Sequence, residues 1–307
     1  LCELVSETNA GTVVNALSGM RGLKPTLAAL DAGKPVALAN KETLVAGGDL
    51  VMKKAGRTGN RILPVDSEHS AVFQCLSCGP EGKEPPKIRR ILLTASGGPF
   101  FGKDRAFLER VTPDMALRHP NWSMGPKVTV DSSTLMNKGL ELIEAVHLFG
   151  VRPEQVEVVV HRESVIHSMV EFEDRAVLAQ MAVPDMRLCI QYALTYPERK
   201  PSLCPELDLF SLTGLTFHRP DEETFPLLAL ARKAILEGGN RPAAMNGANE
   251  AAVALFLKGQ IRYTDIFERV AFATESAAFV PDPSLEDILR TDREARRAAA
   301  GTLEETD

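Results

Sequence analysis

The chain has 307 residues, 44% of them hydrophobic and 25% charged, an ordinary globular composition with length enough for two or three domains with sizeable cores. With 35 basic against 41 acidic residues the net charge is −6, which offers no electrostatic footprint for nucleic acid or an anionic membrane and leaves a small molecule or another protein as the partner to expect. No run approaches the roughly 20 apolar residues of a membrane helix, no charged-then-apolar leader opens the sequence, and five irregularly spread cysteines (Cys2, Cys75, Cys78, Cys189, Cys204) argue against a disulfide framework and for a reducing compartment.

Residue 1 is Leu, so the expectation is that the chain was processed or that its true start precedes it. The first sixty or so residues alternate helical and strand patterns. A helix over Lys24 to Ala32 closes at Gly33, followed by the strand Pro35 to Ala39, a helix through Lys54, and the strand Arg61 to Val65. Such alternation predicts a parallel sheet whose ligands sit beyond the carboxyl ends of the strands, where Asn40-Lys41-Glu42 and Asp66-Ser67-Glu68 fall. A Gly/Pro-rich loop, Cys78 to Lys87, precedes the strand Ile88 to Thr94, which runs into Ser96-Gly97-Gly98-Pro99. Three β-branched, apolar segments (Val156 to Val160, Val165 to Phe172 and Ala176 to Met181) predict more sheet, in a second α/β domain. Pro197 to Pro220 reads as a linker. The rest reads as a helical bundle: Phe225 to Leu236, Ala243 to Leu257, Asp265 to Ala273 and Leu285 to Ala299, ending in a charged tail.

Several segments carry polar groups in patterns that chemistry could use. In an extended Val65-Asp66-Ser67-Glu68 segment, Asp66 and Glu68 would point to one side, and two hard oxygen donors favour Mg²⁺ or Mn²⁺ over zinc. The alternative is that Asp66-Ser67 only caps the next helix, with Glu68 in its first turn. Around Asp131-Ser132-Ser133-Thr134 a strand-like run is expected to end and a helix to begin, forming an anion site. On that helix Asn137, Lys138 and Glu141 share a face, although a solvated Lys138–Glu141 salt bridge explains the same spacing. The Ser96-Gly97-Gly98 turn resembles a small phosphate cradle. The only Trp, Trp122, lies in His119-Pro120-Asn121-Trp122-Ser123-Met124-Gly125-Pro126, which reads either as a lid or as a buried loop anchor. Cys75 and Cys78 form a CxxC pair, but no second pair follows to complete a zinc site. His147 reads as structural, while His161 and His167 stay open.

In chain order, the motifs ANKE (39–42), LPVDSEHS (63–70), SGGPF (96–100), HPNWSMG (119–125), VDS (130–132), MNKGLE (136–141), SVIHSMV (164–170), PDMR (184–187) and NGANEA (246–251) closely resemble the 1-deoxy-D-xylulose 5-phosphate reductoisomerase family over essentially the whole chain. The resemblance implies an α/β fold: a partial Rossmann-like cofactor domain (1–65), a central α/β catalytic and dimerisation domain (66–196), a linker (197–222) and a C-terminal α-helical domain (223–307). It implies rearrangement of 1-deoxy-D-xylulose 5-phosphate and reduction by NADPH to 2-C-methyl-D-erythritol 4-phosphate. Asp66, Glu68 and Glu141 would hold one Mg²⁺ or Mn²⁺, a Lewis acid for the substrate's carbonyl and neighbouring hydroxyl. Lys41 and Ser67 would reach the substrate near that ion. Ser96, Ser132, Asn137 and Lys138 would take its phosphate, His119 and Trp122 would cover it, and Met186 would complete the substrate set. Lys41, Glu68, His119 and Glu141 form the implied catalytic group. Asn40, Glu42, Met124 and Gly125 would contact NADPH.

The family's pattern also implies a homodimer joined through the central sheet and a place in the bacterial cytoplasm, or in a plastid if a targeting segment precedes Leu1. Three departures stand out. Ala95 replaces a glycine before Ser96, and Pro126 replaces a basic residue after the loop glycine. The Gly-Ser-Thr-Gly-Ser-Ile-Gly turn that cradles the NADPH pyrophosphate has no counterpart. The expectation is therefore a fragment that keeps its metal and substrate ligands and has little NADPH affinity. Two other readings share the same residues: a cofactor-free, metal-dependent sugar-phosphate isomerase or aldolase, and a non-catalytic fragment that assembles with an intact partner chain.

Overall fold

The computed structural model describes residues 1–77 and 86–301. They form two compact units: residues 1–44, 51–77, 86–96 and 144–220 in the first, and 45–50, 97–143 and 221–301 in the second.

The first unit begins with α1 (Cys2–Glu7) and a three-stranded parallel sheet of β1 (Val13–Asn15), β2 (Val36–Leu38) and β3 (Ile62–Pro64), in the order β1-β2-β3. Parallel neighbours need a crossover, supplied here by α2 (Leu23–Asp31) and α3 (Lys41–Thr58). The central strand β2 is covered on both faces, with Val36, Ala37 and Leu38 all buried; that is why it reads as a continuous apolar run rather than an alternating one. After α4 (Ser67–Leu76) comes a four-stranded sheet in the order β5-β4-β6-β7. Its β4 (Ile88–Ala95) pairs parallel with β5 (Val156–Val160) and antiparallel with β6 (Ile166–Phe172), which pairs in turn with β7 (Val177–Met181). Helix α4 lies against β6 and β7, and the Cys75 thiol meets the Leu178 carbonyl at 3.6 Å.

The second unit carries two single-turn helices, α5 (Arg105–Leu108) and α6 (Pro113–Ala116), then α7 (Pro126–Ser133) and the start of α8 (Met136–Phe149). Helix α8 is shared: residues 136–143 belong to the second unit and 144–149 to the first. Helix α9 (Met186–Thr195) returns to the first unit, and α10 (Leu227–Glu237), α11 (Arg241–Leu257), α12 (Asp265–Ser276) and α13 (Leu285–Ala300) form a bundle in the second. Its centre is Tyr263, whose ring stands edge-on to Phe100, Phe256 and Phe267 at centroid distances of 5.4, 5.6 and 5.5 Å. Gly247 lets α11 and α13 meet closely, since a Cβ there would lie 2.8 Å from the Asp292 carbonyl oxygen. Among the described residues no helix is long and apolar enough to cross a membrane.

The expected parallel strands, the three later strands and the four bundle helices are all present to within a few residues. The sequence patterns miss the short helices α1, α5 and α6, and three further elements depart from them. Strand β1 is only three residues long, too short for a period to show. Helix α9 begins at an Asp185 cap whose carboxyl accepts from the Arg187 N–H at 2.9 Å, inside a motif without a clear helical stripe. The third is a correction: the strand-like run before Ser132 is helix α7. Gly125 and Pro126 start that helix, Lys127 and Asp131 pair across one turn at 2.8 Å, and Thr129 Oγ1 bonds back to the Gly125 carbonyl at 2.9 Å. The β preference of Val128, Thr129 and Val130 spans only about 1 kcal/mol in measured scales, and these local helical contacts outweigh it.

Candidate active site

In the first unit, parallel pairing of Val36 with Ile62 and of Leu38 with Pro64 brings the carboxyl ends of β2 and β3 side by side. Each strand hands over to a helix within two or three residues. Asn40 caps α3 by accepting from the Thr43 N–H at 3.0 Å, and Asp66 caps α4 by accepting from the Glu68 N–H at 3.2 Å. The segment 66–68 is thus a helix start and not an extended strand end, so the same-side strand geometry expected for Asp66 and Glu68 does not occur. Capping uses only Oδ1 of Asp66; Oδ2 lies 2.8 Å from Lys41 Nζ, with both side chains about nine-tenths buried. Ser67 Oγ donates to Glu68 Oε2.

Behind this pair stands a histidine to which no sequence pattern assigns a role. His69 is fully buried, and its Nδ1 lies 3.2 Å from Asp66 Oδ1 and 3.3 Å from Glu144 Oε2. The ligand atoms of Asp66, His69 and Glu144 all fall within 4.8 Å of one another. Two carboxylates around one ring nitrogen, with the Lys41 ammonium paired to one of them, make a buried cluster of ionisable groups, a pattern found at functional sites. The spacing carried a weak signal: His69 follows Asp66 by three residues, and Glu144 follows Glu141 by one turn on the same helix face.

In the second unit the polar groups gather at the junction of α7 and α8. The chain breaks there at Leu135, a non-glycine with φ of 60°, a left-handed conformation that side chains rarely adopt. His119 Nε2 lies 3.2 Å from Ser132 Oγ. His119 Nδ1 accepts from the N–H groups of Asn121 at 3.2 Å and Trp122 at 2.9 Å. A neutral ring that accepts at Nδ1 carries its proton on Nε2, so His119 donates to Ser132. Gly98 (φ 67°) packs directly on this turn: a Cβ at that position would lie 2.7 Å from the Ser132 carbonyl oxygen. On α8, Asn137 Nδ2 and Lys138 Nζ both donate to the Glu141 carboxylate. The Lys138–Glu141 pair is therefore present but buried, 5% and 1% exposed, unlike the solvated bridge that the spacing also allowed. Burying such a pair carries a desolvation penalty that a solvated bridge escapes.

The remaining expected residues are distributed as follows. Asn40 is buried and spends its amide on the Leu17 carbonyl (2.5 Å), the Gly19 carbonyl (3.0 Å) and Glu42 Oε2 (2.9 Å). Trp122 and Met124 are half-buried and Gly125 exposed, with open space around its α-carbon. Ser96 follows β4 in the first unit, where its carbonyl accepts from Arg162 Nη1. Met186, the first residue of α9, is exposed. His161 is structural: Nε2 accepts from the Val165 and Ile166 N–H groups at 3.3 and 3.2 Å, and Nδ1 reaches the Thr216 carbonyl at 3.0 Å. Cys78 of the CxxC pair lies outside the described residues.

Comparison with known proteins gives a consistent result along the chain. Residues 1–48 match the family model for 1-deoxy-D-xylulose 5-phosphate reductoisomerase, and residues 62–149 and 181–298 match models of that enzyme's C-terminal domain. The chain is 56% identical to the 1-deoxy-D-xylulose 5-phosphate reductoisomerase of Pelotomaculum thermopropionicum, covering 95% of this chain and 75% of that protein. It is 51% identical to that of Bacteroides thetaiotaomicron, covering 98% and 76%. Among solved structures, the enzyme from Zymomonas mobilis in complex with NADPH superposes with a TM-score of 0.89 at 45% identity, covering 97% of this chain and 77% of that one. A reductoisomerase in complex with NADPH, fosmidomycin and magnesium superposes at 0.91 with 44% identity and the same coverage.

Proposed function

Because the chain belongs to the 1-deoxy-D-xylulose 5-phosphate reductoisomerase family, we propose that it catalyses the NADPH- and divalent-metal-dependent conversion of 1-deoxy-D-xylulose 5-phosphate to 2-C-methyl-D-erythritol 4-phosphate. The observation that carries this reading is the Lys41–Asp66 pair at the ends of adjacent parallel strands, with Glu68 in the first turn of α4.

The donor set fits a hard cation. Asp66 and Glu68 offer carboxylate oxygens, and Asp66 is held in one orientation by Lys41, the Glu68 N–H and His69. Glu141, one turn before Glu144 on α8, supplies the third carboxylate in this reading. For the cofactor, the open backbone of Gly125 and the polarizable side chain of Met124 suit a flat ring, while Asn40 acts by holding the turn that carries Glu42. When bound, the metal supplies a Lewis acid for the substrate's carbonyl and neighbouring hydroxyl, and NADPH supplies the hydride.

The chain's own groups bind and orient. The Lys41 ammonium and the Ser67 hydroxyl face the substrate oxygens near the ion. Ser96, Ser132, Asn137 and Lys138 take the phosphate, and His119 and Trp122 cover it with Met186. Binding the remote phosphate helps hold the reacting carbons in place. In functional terms residues 1–65 serve the cofactor, 66–196 the chemistry and dimerisation, 197–222 link, and 223–307 support. A sugar phosphate is the small-molecule partner, and the setting is the cytoplasm. The assembly is a homodimer through the four-stranded sheet, whose edge strand β7 exposes Val177, Leu178 and Met181.

The test is Glu68→Gln, which keeps the shape and removes a charged ligand. Mn²⁺ titration of the folded variant should show affinity at least about tenfold lower; an unchanged value would sink the proposed metal site.

A further inference from the structure

Helix α11 carries two asparagines that a plain bundle helix has no reason to bury. Asn246 and Asn249 are both 0% exposed. Asn246 Nδ2 donates to Glu250 Oε1 at 2.9 Å, and Glu250 is tied at 2.7 Å to Arg296 of α13, which also bonds Asp292 at 2.8 Å. Together with the close approach at Gly247, this network fixes α11 against α13.

From that fixed helix Asn249 Nδ2 reaches across to Asp131 Oδ1 at 2.8 Å. Asp131 is 1% exposed, and its other oxygen lies 2.8 Å from Lys127 Nζ. Two residues further along α7, Ser133 Oγ accepts from the Tyr263 hydroxyl at 3.2 Å and donates to the Val130 carbonyl at 2.7 Å. The Tyr263 ring is itself clamped among three phenylalanines. The residues on either side of Ser132 are thus each held by a buried hydrogen bond from the helical bundle, while the Ser132 hydroxyl faces His119. A buried polar group that loses its partner is costly, so the last turn of α7 has one favoured placement.

We infer that Asn249 and Tyr263 are positioning residues for the phosphate site: they hold Asp131 and Ser133 so that the intervening Ser132 hydroxyl is aimed at the substrate's phosphate. This rests on the reading of Ser132 as a phosphate ligand. Neither residue touches the ligand; each acts through its neighbour of Ser132.

The experiment is a pair of equilibrium titrations on the full chain, one with 1-deoxy-D-xylulose 5-phosphate in the presence of Mg²⁺ and one with Mn²⁺ alone. The proteins are the unaltered chain, Ser132→Ala, Tyr263→Phe, Asn249→Asp, and the double substitution Asn249→Asp with Asp131→Asn, which rebuilds an amide–carboxylate pair in reverse. Thermal melts set a temperature at which each variant is folded; Tyr263→Phe keeps the packed ring and serves even if Asn249→Asp does not fold. Tyr263→Phe and Asn249→Asp should each weaken the sugar phosphate by about 3- to 10-fold, the worth of one buried hydrogen bond. Mn²⁺ affinity should stay within about twofold, and the double substitution should recover most of the loss. A general loosening of the fold would lower both affinities together, and that result would overturn the inference. Loss on Ser132→Ala with no loss on Tyr263→Phe or Asn249→Asp would overturn the positioning role and leave the phosphate reading intact. No loss on Ser132→Ala would overturn that reading, and the inference with it.

Discussion

Asn40 and Cys189 show how much of a residue's behaviour depends on its surroundings. Asn40 accepts from Thr43 to start α3 and donates to the Leu17 and Gly19 carbonyls, in the segment that follows β1, and to Glu42. Asn40→Ala removes the cap and strands the Leu17 and Gly19 carbonyls, so urea unfolding should show a loss of about 2–4 kcal/mol; a change below about 0.5 kcal/mol would mean that water replaces those bonds. Cys189 sits in α9 with its thiol pKa pushed up to about 12, first by burial and then by the Asp66 and Glu68 carboxylates, against a hydrogen bond with Ser70 that lowers it. A raised thiol pKa leaves little thiolate at pH 8, and the thiolate is the reactive form. Alkylation of the folded protein followed by mass spectrometry should therefore label exposed Cys2 well before Cys189. Equal rates would show that α9 opens readily.

Among the elements, the α7–α8 junction combines backbone strain at Leu135 with the proposed phosphate ligands. Gly98 sits in the left-handed region with no room for a Cβ beside Ser132, and Leu135 closes the junction in the same unfavourable region. Gly98→Ala adds both a backbone penalty and a clash with main chain that cannot swing away, together about 2–4 kcal/mol of destabilisation. Where that variant remains folded, its affinity for the sugar phosphate should fall with the displaced Ser132 turn. Calorimetric melting with sugar-phosphate titration measures both effects, and an unperturbed melt would mean that the two backbones can separate. The helix–strand correction at 126–133 belongs to this scale too. Local propensity favoured a strand, but an isolated β-branched run has no ladder partner there, and the Pro126 start with the Lys127–Asp131 pair satisfies the backbone as a helix.

For the whole molecule, β7 is an edge strand of its sheet among the described residues and exposes Val177, Leu178 and Met181. Sedimentation should find a dimer at micromolar concentration. Val177→Lys should shift it toward monomer, since edge lysines oppose strand pairing; a dimer indifferent to this change would place the contact elsewhere. At the same scale, most of the longer strands and helices were legible in the sequence, apart from α7 and α9. So were the polar residues at the ends of β2 and β3, because a parallel sheet places its ligands there and motif spacing survives in the linear chain. Hidden from the sequence were His69 with Glu144, Asn249 with Asp131, and Tyr263 with Ser133. The last two pairs join residues 118 and 130 positions apart, and a buried amide or hydroxyl has no local pattern that names its partner. By itself the sequence determined the family and the α/β class, since these follow from motif order and local periodicity, and it offered the residues of the proposed site. Only the tertiary structure decided which side chains hold those residues in place, because such pairings form when packing excludes water and each buried polar group must find a partner.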